Sequence, residues 1–401
     1  LESGARGRAI APAGASTGSA EAVDLRDGGS TFGGYDVRTA IASINGEIAS
    51  VLAGKDATDQ EGADAALIAL DGTPNKQRLG GNAIVATSMA IAHAAAAACE
   101  LPLWRYLGKG REDFHLPLPE IQIFGGGAHA GRRVDVQDFM VIANGASSFR
   151  EALDWTAEVY LHAGKIMADA GKLSGVADEG GFWPDFDTNE EAIETLVRAI
   201  EAAGFAPGSQ VSISLDIAAS EFGENGQYRL AKDNKSLNSE DMCAMLIDWM
   251  ERYPIVSIED PLGEDDPDGL MKFTWAVGDN AQVVGDDVLV TNAERVKAAA
   301  KDRLCNSLLV KPNQAGTLSE AKAAFDAAKK AGMGRIVSAR SGETEDCTIV
   351  HLAVGWGAPQ LKVGSFARSE RMVKWNEGIR IADTLADKDG PLPPKSAFHW
   401  R

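Results

Sequence analysis

Between residues 211 and 365 six short apolar runs recur, each with a charge at or near its end: VSISLD (211–216), IVSIED (255–260), QVVGDD (282–287), NSLLVK (306–311), RIVSAR (335–340) and QLKVGS (360–365). Helical stretches lie between them, such as SEDMCAMLIDWMERY (239–253) and LSEAKAAFDAAKKAG (318–332). Strands alternating with helices predict βα units on a parallel sheet. Six such units in one stretch of chain favour a closed (β/α) barrel over an open sheet. In a barrel every C-terminal strand end reaches the same face, and that face carries the active site. Asp216, then Glu259 with Asp260, then Asp286 with Asp287 are therefore expected to meet there, followed by Lys311, Arg340 and Lys362.

Three carboxylates from separate strands form a hard oxygen site, which suits Mg²⁺. No His or Cys stands among them, which argues against zinc. Lys311, with Arg340 and Lys362 as cationic neighbours, is expected to have a depressed pKa and to act as a base. Taken singly, an acid that ends a strand reads equally well as the N-cap of the next helix. The ordered set, acids first and cations after, carries the inference.

A second group lies earlier. GGGAHAGRR (125–133) is a Gly-rich loop holding His129, and VDVQDFM (134–140) places Gln137 and Asp138 at a strand end. VADEGGFWP (176–184) sets Asp178 and Glu179 before Gly180 and Gly181. Two glycines let the backbone turn tightly and present an acid, and a general acid needs a partly desolvated carboxyl. Such loops are also ordinary turns. GASTG (14–18) reads as a loop able to close on a substrate, although it lacks the lysine of a phosphate-binding P-loop.

The remaining first third is mixed. Residues 8–11 read as a short strand, helical patterns cover 36–53, 60–70 and 82–98, and the two-proline segment 111–119 reads as a linker. A boundary there divides residues 1–112 from 117–401. The stretch 89–99 reads as an Ala-rich helix packed closely against another.

Charge limits the partners. The 401 residues carry 39 Lys and Arg against 58 Asp and Glu, a net charge of −19. Nucleic acid and membrane surfaces are poor partners for such a chain. No uncharged run of membrane-crossing length is read, and a cytoplasmic protein is expected. Cys99, Cys243, Cys305 and Cys347 are scattered without a C-x-x-C pair and read as free thiols of a reducing compartment. The chain opens at Leu1 without a signal-like segment or an initiator methionine, and residues are expected to be missing before it.

GASTG, GGAHA, DEGGF, SLDIAASEF, SIEDPL, VVGDD, KPNQAGT, ARSGETED and ARSER follow one another in an order that resembles the enolases, the phosphopyruvate hydratases, from about Arg8 to Ile381. The resemblance implies an α/β fold: an enolase-type (β/α)8 barrel whose first units run ββαα, with an α+β N-terminal capping domain whose first strand lies before Leu1. It implies Mg²⁺ on Asp216, Glu259 and Asp286, and a second Mg²⁺ that binds with substrate, helped by Ser16. Lys311 would remove the proton α to a carboxylate and Glu179 would protonate the leaving group, with Asp138 as a further acid of the catalytic cluster. Arg340 and Ser341 would hold the phosphate and Lys362 the carboxylate, with His129 and Gln137 also in contact with substrate. The partner implied is a small anionic phospho- or phosphono-carboxylate, and the assembly a homodimer or larger homo-oligomer.

Several positions depart from the family pattern. Ala339 stands where enolases carry histidine before the phosphate-holding arginine, Asp138 where they carry glutamate, Gly125 where they carry asparagine, and Pro312 in place of valine. Three of these shorten a side chain, so the pocket is expected to be wider. The leading expectation is a lyase with altered substrate recognition, such as carboxyphosphonoenolpyruvate synthase of phosphonate and phosphinothricin-type antibiotic biosynthesis. There a bulkier group at phosphorus would use the room at Ala339. The alternatives are a glycolytic enolase that tolerates the substitutions, and an inactive enolase-like binding protein, which the intact metal and base residues oppose.

Overall fold

The computed structural model describes residues 1–15 and 17–400. Eight strands close into a barrel: β1 (Leu118–Gly125), β2 (Asp138–Ile142), β3 (Ser212–Asp216), β4 (Ile255–Glu259), β5 (Gln282–Gly285), β6 (Ser307–Val310), β7 (Gly334–Ser338) and β8 (Gln360–Gly364). Their order around the barrel is β1-β8-β7-β6-β5-β4-β3-β2. Neighbours are parallel except at β2, which runs antiparallel to both β1 and β3. Two helices, Phe149–Asp169 and Asn189–Ala202, follow β2 before β3 begins, so the first units run ββαα. Ser148 and Thr188 start these helices by accepting the backbone N–H of Glu151 and Glu191, which satisfies donors that the helix itself leaves unpaired.

All six apolar runs form barrel strands. Helices cover them outside and side chains fill them inside, so both faces are buried and the residues need not alternate. β1 starts at Leu118, inside the stretch read as linker, because its two prolines flank a residue whose N–H bonds Pro359.

The N-terminal part holds the helices expected near 36–53, 60–70 and 82–98. The first is continuous from Arg38 to Leu52, with a π turn at Ile44–Ile48. Helix Gln60–Asp71 is capped by Asp59 and ends on Gly72, which has φ 71. Ala40, Ile48, Leu67, Leu79, Ala83 and Ile84 form a small apolar core of their own.

Two expectations fail here. Residues 8–11 are not a strand: no ladder is assigned to them, Ile10 N–H bonds the Asp346 carboxylate at 2.9 Å, and Ala13 forms an isolated bridge with Gly342. These single contacts satisfy the backbone groups without a ladder. Second, the run 79–99 contains no Asp, Glu, Lys or Arg, so an uncharged stretch of membrane-crossing length does exist. Its helix, Gly81–Ala98, has a mean hydropathy of 1.3, and 61% of it is buried inside the protein. Its small residues admit a neighbouring backbone: a side chain on Gly7 would overlap the Ala90 carbonyl. It is a core helix.

Candidate active site

The reversed direction of β2 builds the site. Asp138 opens β2 and pairs with Asp216, which closes β3, and with Gly125, which closes β1. An acid at the start of one strand thereby joins acids at the ends of the others. Asp138 accepts from the Gln122 amide, and its Oδ1 lies 3.0 Å from His129 Nδ1. Burial alone would raise the Asp138 pKa, but His129 and Lys362 hold it well below the usual carboxylate range. His129 is pushed up to about 9: burial opposes its charge, and Asp138 and Glu179 overcome that.

Lys362 points into the barrel mouth from β8. Its Nζ donates to Glu259 Oε2 at 2.7 Å and to Asp216 Oδ2 at 2.9 Å, and lies 3.5 Å from Asp138 Oδ2. Gln137 Nε2 adds a bond to Asp216 Oδ2 at 3.1 Å. Lys311 follows β6 and lies 2.5 Å from Asp286 Oδ2. The expected depression of its pKa is not found in this structure. Burial, the largest influence, favours the neutral amine, but the Asp286 charge outweighs it and the pKa is raised.

Arg340 follows β7, and its Nη1 donates to Glu21 Oε2 at 2.7 Å and to Asn313 Oδ1 at 3.3 Å. Ser341 Oγ accepts the Ala15 N–H at 2.6 Å. Glu179 is 5% exposed. The turn beyond it requires glycine, since Gly180 has φ 92 and a side chain there would overlap the Ala367 carbonyl.

One cavity is lined by His129, Gln137, Asp138, Glu179, Asp216, Lys311, Ala339, Arg340, Ser341 and Lys362. Glu259 and Asp286 adjoin it through their lysine partners. Ser16 lies outside the described residues.

The three expected metal ligands do not share one tight group here. Among the described residues, ligand atoms lie within 4.8 Å of one another in two sets: His129, Asp138 and Glu179, and Asp260, Asp286 and Asp287. Lys362 sits between Asp216 and Glu259, while Asp286 is drawn to Lys311. Asp260 has a separate task, because its two oxygens accept the backbone N–H of Asp286 and of Asp287, each at 2.9 Å. It fixes the turn that aims Asp286 inward. The cluster nonetheless fits a divalent cation. Glu259 Oε1 is buried without a hydrogen-bond partner, and burial with the neighbouring Asp216 charge holds Glu259 well above the usual range. Buried carboxylates under-compensated by one ammonium gain from added positive charge.

Sequence reasoning missed Glu21, Gln122, Gln314 and Glu120. Gln314 stands three residues beyond Lys311 and was findable as a polar residue just past a strand end. Glu120 interrupts the apolar strand LPEIQIFG; it is 2% exposed and accepts the Ser214 hydroxyl. Glu21 gave no signal, since only folding carries it to Arg340.

A (β/α)8 barrel with an inverted second strand carries carboxylates interleaved with lysines at its mouth, and Lys311, Glu179, Arg340 and Lys362 line one cavity there. Comparison with known proteins gives the family. Residues 113–390 match the family described as "Enolase, C-terminal TIM barrel domain" and residues 1–107 match "Enolase, N-terminal domain". The chain is 48% identical over 401 residues to Enolase 1 of Desulfitobacterium hafniense (strain Y51), an alignment covering 99% of this chain and 91% of that protein. The chain belongs to the enolase family and is a phosphopyruvate hydratase-like lyase.

Proposed function

We propose that this protein converts 2-phosphoglycerate to phosphoenolpyruvate. The observation that carries the reading is a single cavity holding Lys311, paired with Asp286, together with Glu179 and the cations Arg340 and Lys362. The 48% identity to a protein named Enolase 1 supports it over the carboxyphosphono-type reading.

In this reading Lys311 takes the C2 proton and Glu179, within reach of His129 and Asp138, donates a proton to the departing C3 hydroxyl. Arg340 and Ser341 hold the phosphate, and Lys362, His129 and Gln137 orient the carboxylate end. Asp216, Glu259 and Asp286 would hold one Mg²⁺, with a second arriving with substrate at Ser16, and the bound metal supplies positive charge where the substrate carboxylate gains its second negative charge. With Asp286 and Glu259 committed to a cation, the other influences on Lys311 are burial, Arg340 and Lys362, and all three favour the neutral amine that a base must be. The protein is read as cytoplasmic from its net charge of −19, and as a homodimer or larger homo-oligomer from the family resemblance.

The test is purified protein with Mg²⁺ and 2-phosphoglycerate. Phosphoenolpyruvate should form at about 10 per second, the usual scale for metabolic enzymes. No product from protein that still binds Mg²⁺ would overturn the reading.

One observation favours a second reading. Ala339 lines the cavity beside Arg340, 5% exposed, where enolases carry histidine. The smaller side chain leaves room for a carboxyphosphono group at phosphorus, as in carboxyphosphonoenolpyruvate synthase. Under that reading kcat/KM for the carboxyphosphono substrate exceeds that for 2-phosphoglycerate, and Ala339→His reverses the preference.

A further inference from the structure

Glu21 belongs to none of the strand ends, yet its side chain is only 8% exposed and meets the catalytic face. Four nitrogen donors from three residues converge on its carboxylate. Arg340 Nη1 donates to Oε2 at 2.7 Å and Nη2 to Oε1 at 3.4 Å. Gln314 Nε2 donates to Oε1 at 3.2 Å and, at 2.8 Å, to Asp286 Oδ1. The Gly18 N–H donates to Oε1 at 3.0 Å. Gln314 is itself fixed, because its Oε1 accepts the Thr291 hydroxyl at 2.7 Å and Thr291 Oγ1 accepts the Lys311 N–H at 2.9 Å. One carboxylate thus connects an N-terminal backbone turn, the guanidinium read as the phosphate ligand, and the amide that braces Asp286 against Lys311.

The turn is seated on the same face. Ala13 exchanges backbone bonds with Gly342 at 2.9 and 2.8 Å, and a side chain on Gly18 would press Val290 Cγ1 at 2.8 Å. Ala13, Ala15, Gly18 and Glu21 each touch the loops after β5 or β7.

We propose that Glu21 is a positioning residue that orients Arg340 for substrate and anchors the segment marked by Ala13, Ala15 and Gly18 to the active face. The inference rests on the reading of Arg340 as a phosphate ligand. A doubly hydrogen-bonded carboxylate fixes the guanidinium plane. The same negative charge partly cancels the attraction of Arg340 for a free anion. Orientation and affinity therefore oppose each other at this residue.

That opposition gives the test. In Glu21→Gln, kcat/KM for 2-phosphoglycerate should fall by about 10²-fold, the scale of a small misplacement in an active site. Inorganic phosphate, read by calorimetry with Mg²⁺ present, should bind about 5-fold tighter, since a nearby negative charge is gone. Amide hydrogen exchange in the peptide spanning 11–21 should quicken in Glu21→Ala while the barrel strands keep wild-type rates. Weaker phosphate binding together with slower turnover, or unchanged exchange and kinetics, would overturn the proposal. If either variant fails to fold, Glu21→Asp keeps the charge on a shorter arm and should lose turnover without gaining phosphate affinity; a gain would count against the proposal. Wild-type protein inert toward 2-phosphoglycerate would sink the proposed function alone, because phosphate binding and exchange still report on Glu21.

Discussion

Asp138 stands directly opposite Asp216 in the ladder between β2 and β3, although one opens its strand and the other closes it. Only an antiparallel pairing can do this. It brings two buried carboxylates side by side, and Lys362 reaches both, at 3.5 Å and 2.9 Å. The acids of the mouth are thus arranged around lysines, and the behaviour of the site follows from which charge each lysine offsets.

Replacing Lys311 by Ala removes the group placed to take a proton. Turnover of 2-phosphoglycerate should drop by at least about 10³-fold, within the range that positioned bases contribute. Mg²⁺ binding, followed by calorimetry, should survive. Residual activity within tenfold of wild type would rule Lys311 out as the base.

Mg²⁺ should stabilise the fold by engaging the Glu259 oxygen that lacks a partner. At a hundredfold excess over its Kd, a ligand specific for the folded state adds about 2.7 kcal/mol. Thermal unfolding with Mg²⁺ and with chelator measures the difference. It should shrink in Glu259→Gln, and an equal shift in variant and wild type would place the metal elsewhere.

His115 sits in the segment between the helices of the N-terminal part and β1, and its Nδ1 is buried without a partner. Burial, then the charge of Arg111, pushes its pKa down to about 4 from the ordinary 6.5. An unfolded chain binds this proton more readily than the folded one, so stability is lost as pH falls from about 6.5 to about 4. The loss attributable to His115 is on the order of 2 kcal/mol. Urea unfolding at pH 7 and pH 4.5 should show a smaller difference in His115→Gln than in wild type.

Gly7→Ala tests the docking of the N-terminal segment on helix Gly81–Ala98. The new methyl would overlap the Ala90 carbonyl and crowd Ala94 N. Backbone on both sides leaves little room to yield, so a destabilisation of about 2–3 kcal/mol is expected. A midpoint in urea within experimental error of wild type would mean that the segment does not pack there.

The barrel itself was legible because its signal is local. A strand buried on both faces is predominantly apolar, and the six runs from VSISLD to QLKVGS showed it. Their charged ends followed, since a charge is accommodated at least cost where the strand leaves the core. Residues 8–11 have strand-like composition too, but whether such a segment becomes a strand depends on a neighbour that sequence does not show. The pKa of Lys311 was misjudged for a similar reason. Its cationic neighbours were foreseen, whereas the contact with Asp286 that outweighs them depends on side-chain packing.

The sequence by itself determined the alternation of strands and helices, the residues available at the strand ends, and through its ordered motifs the family. Those features are set by local hydrophobic pattern and residue type. The tertiary structure alone decided that β2 runs backward to bring Asp138 beside Asp216, that Lys362 stands between Asp216 and Glu259, and that Glu21 reaches Arg340 from the far end of the chain. Each depends on distances between segments remote in sequence, which no local pattern of side chains encodes.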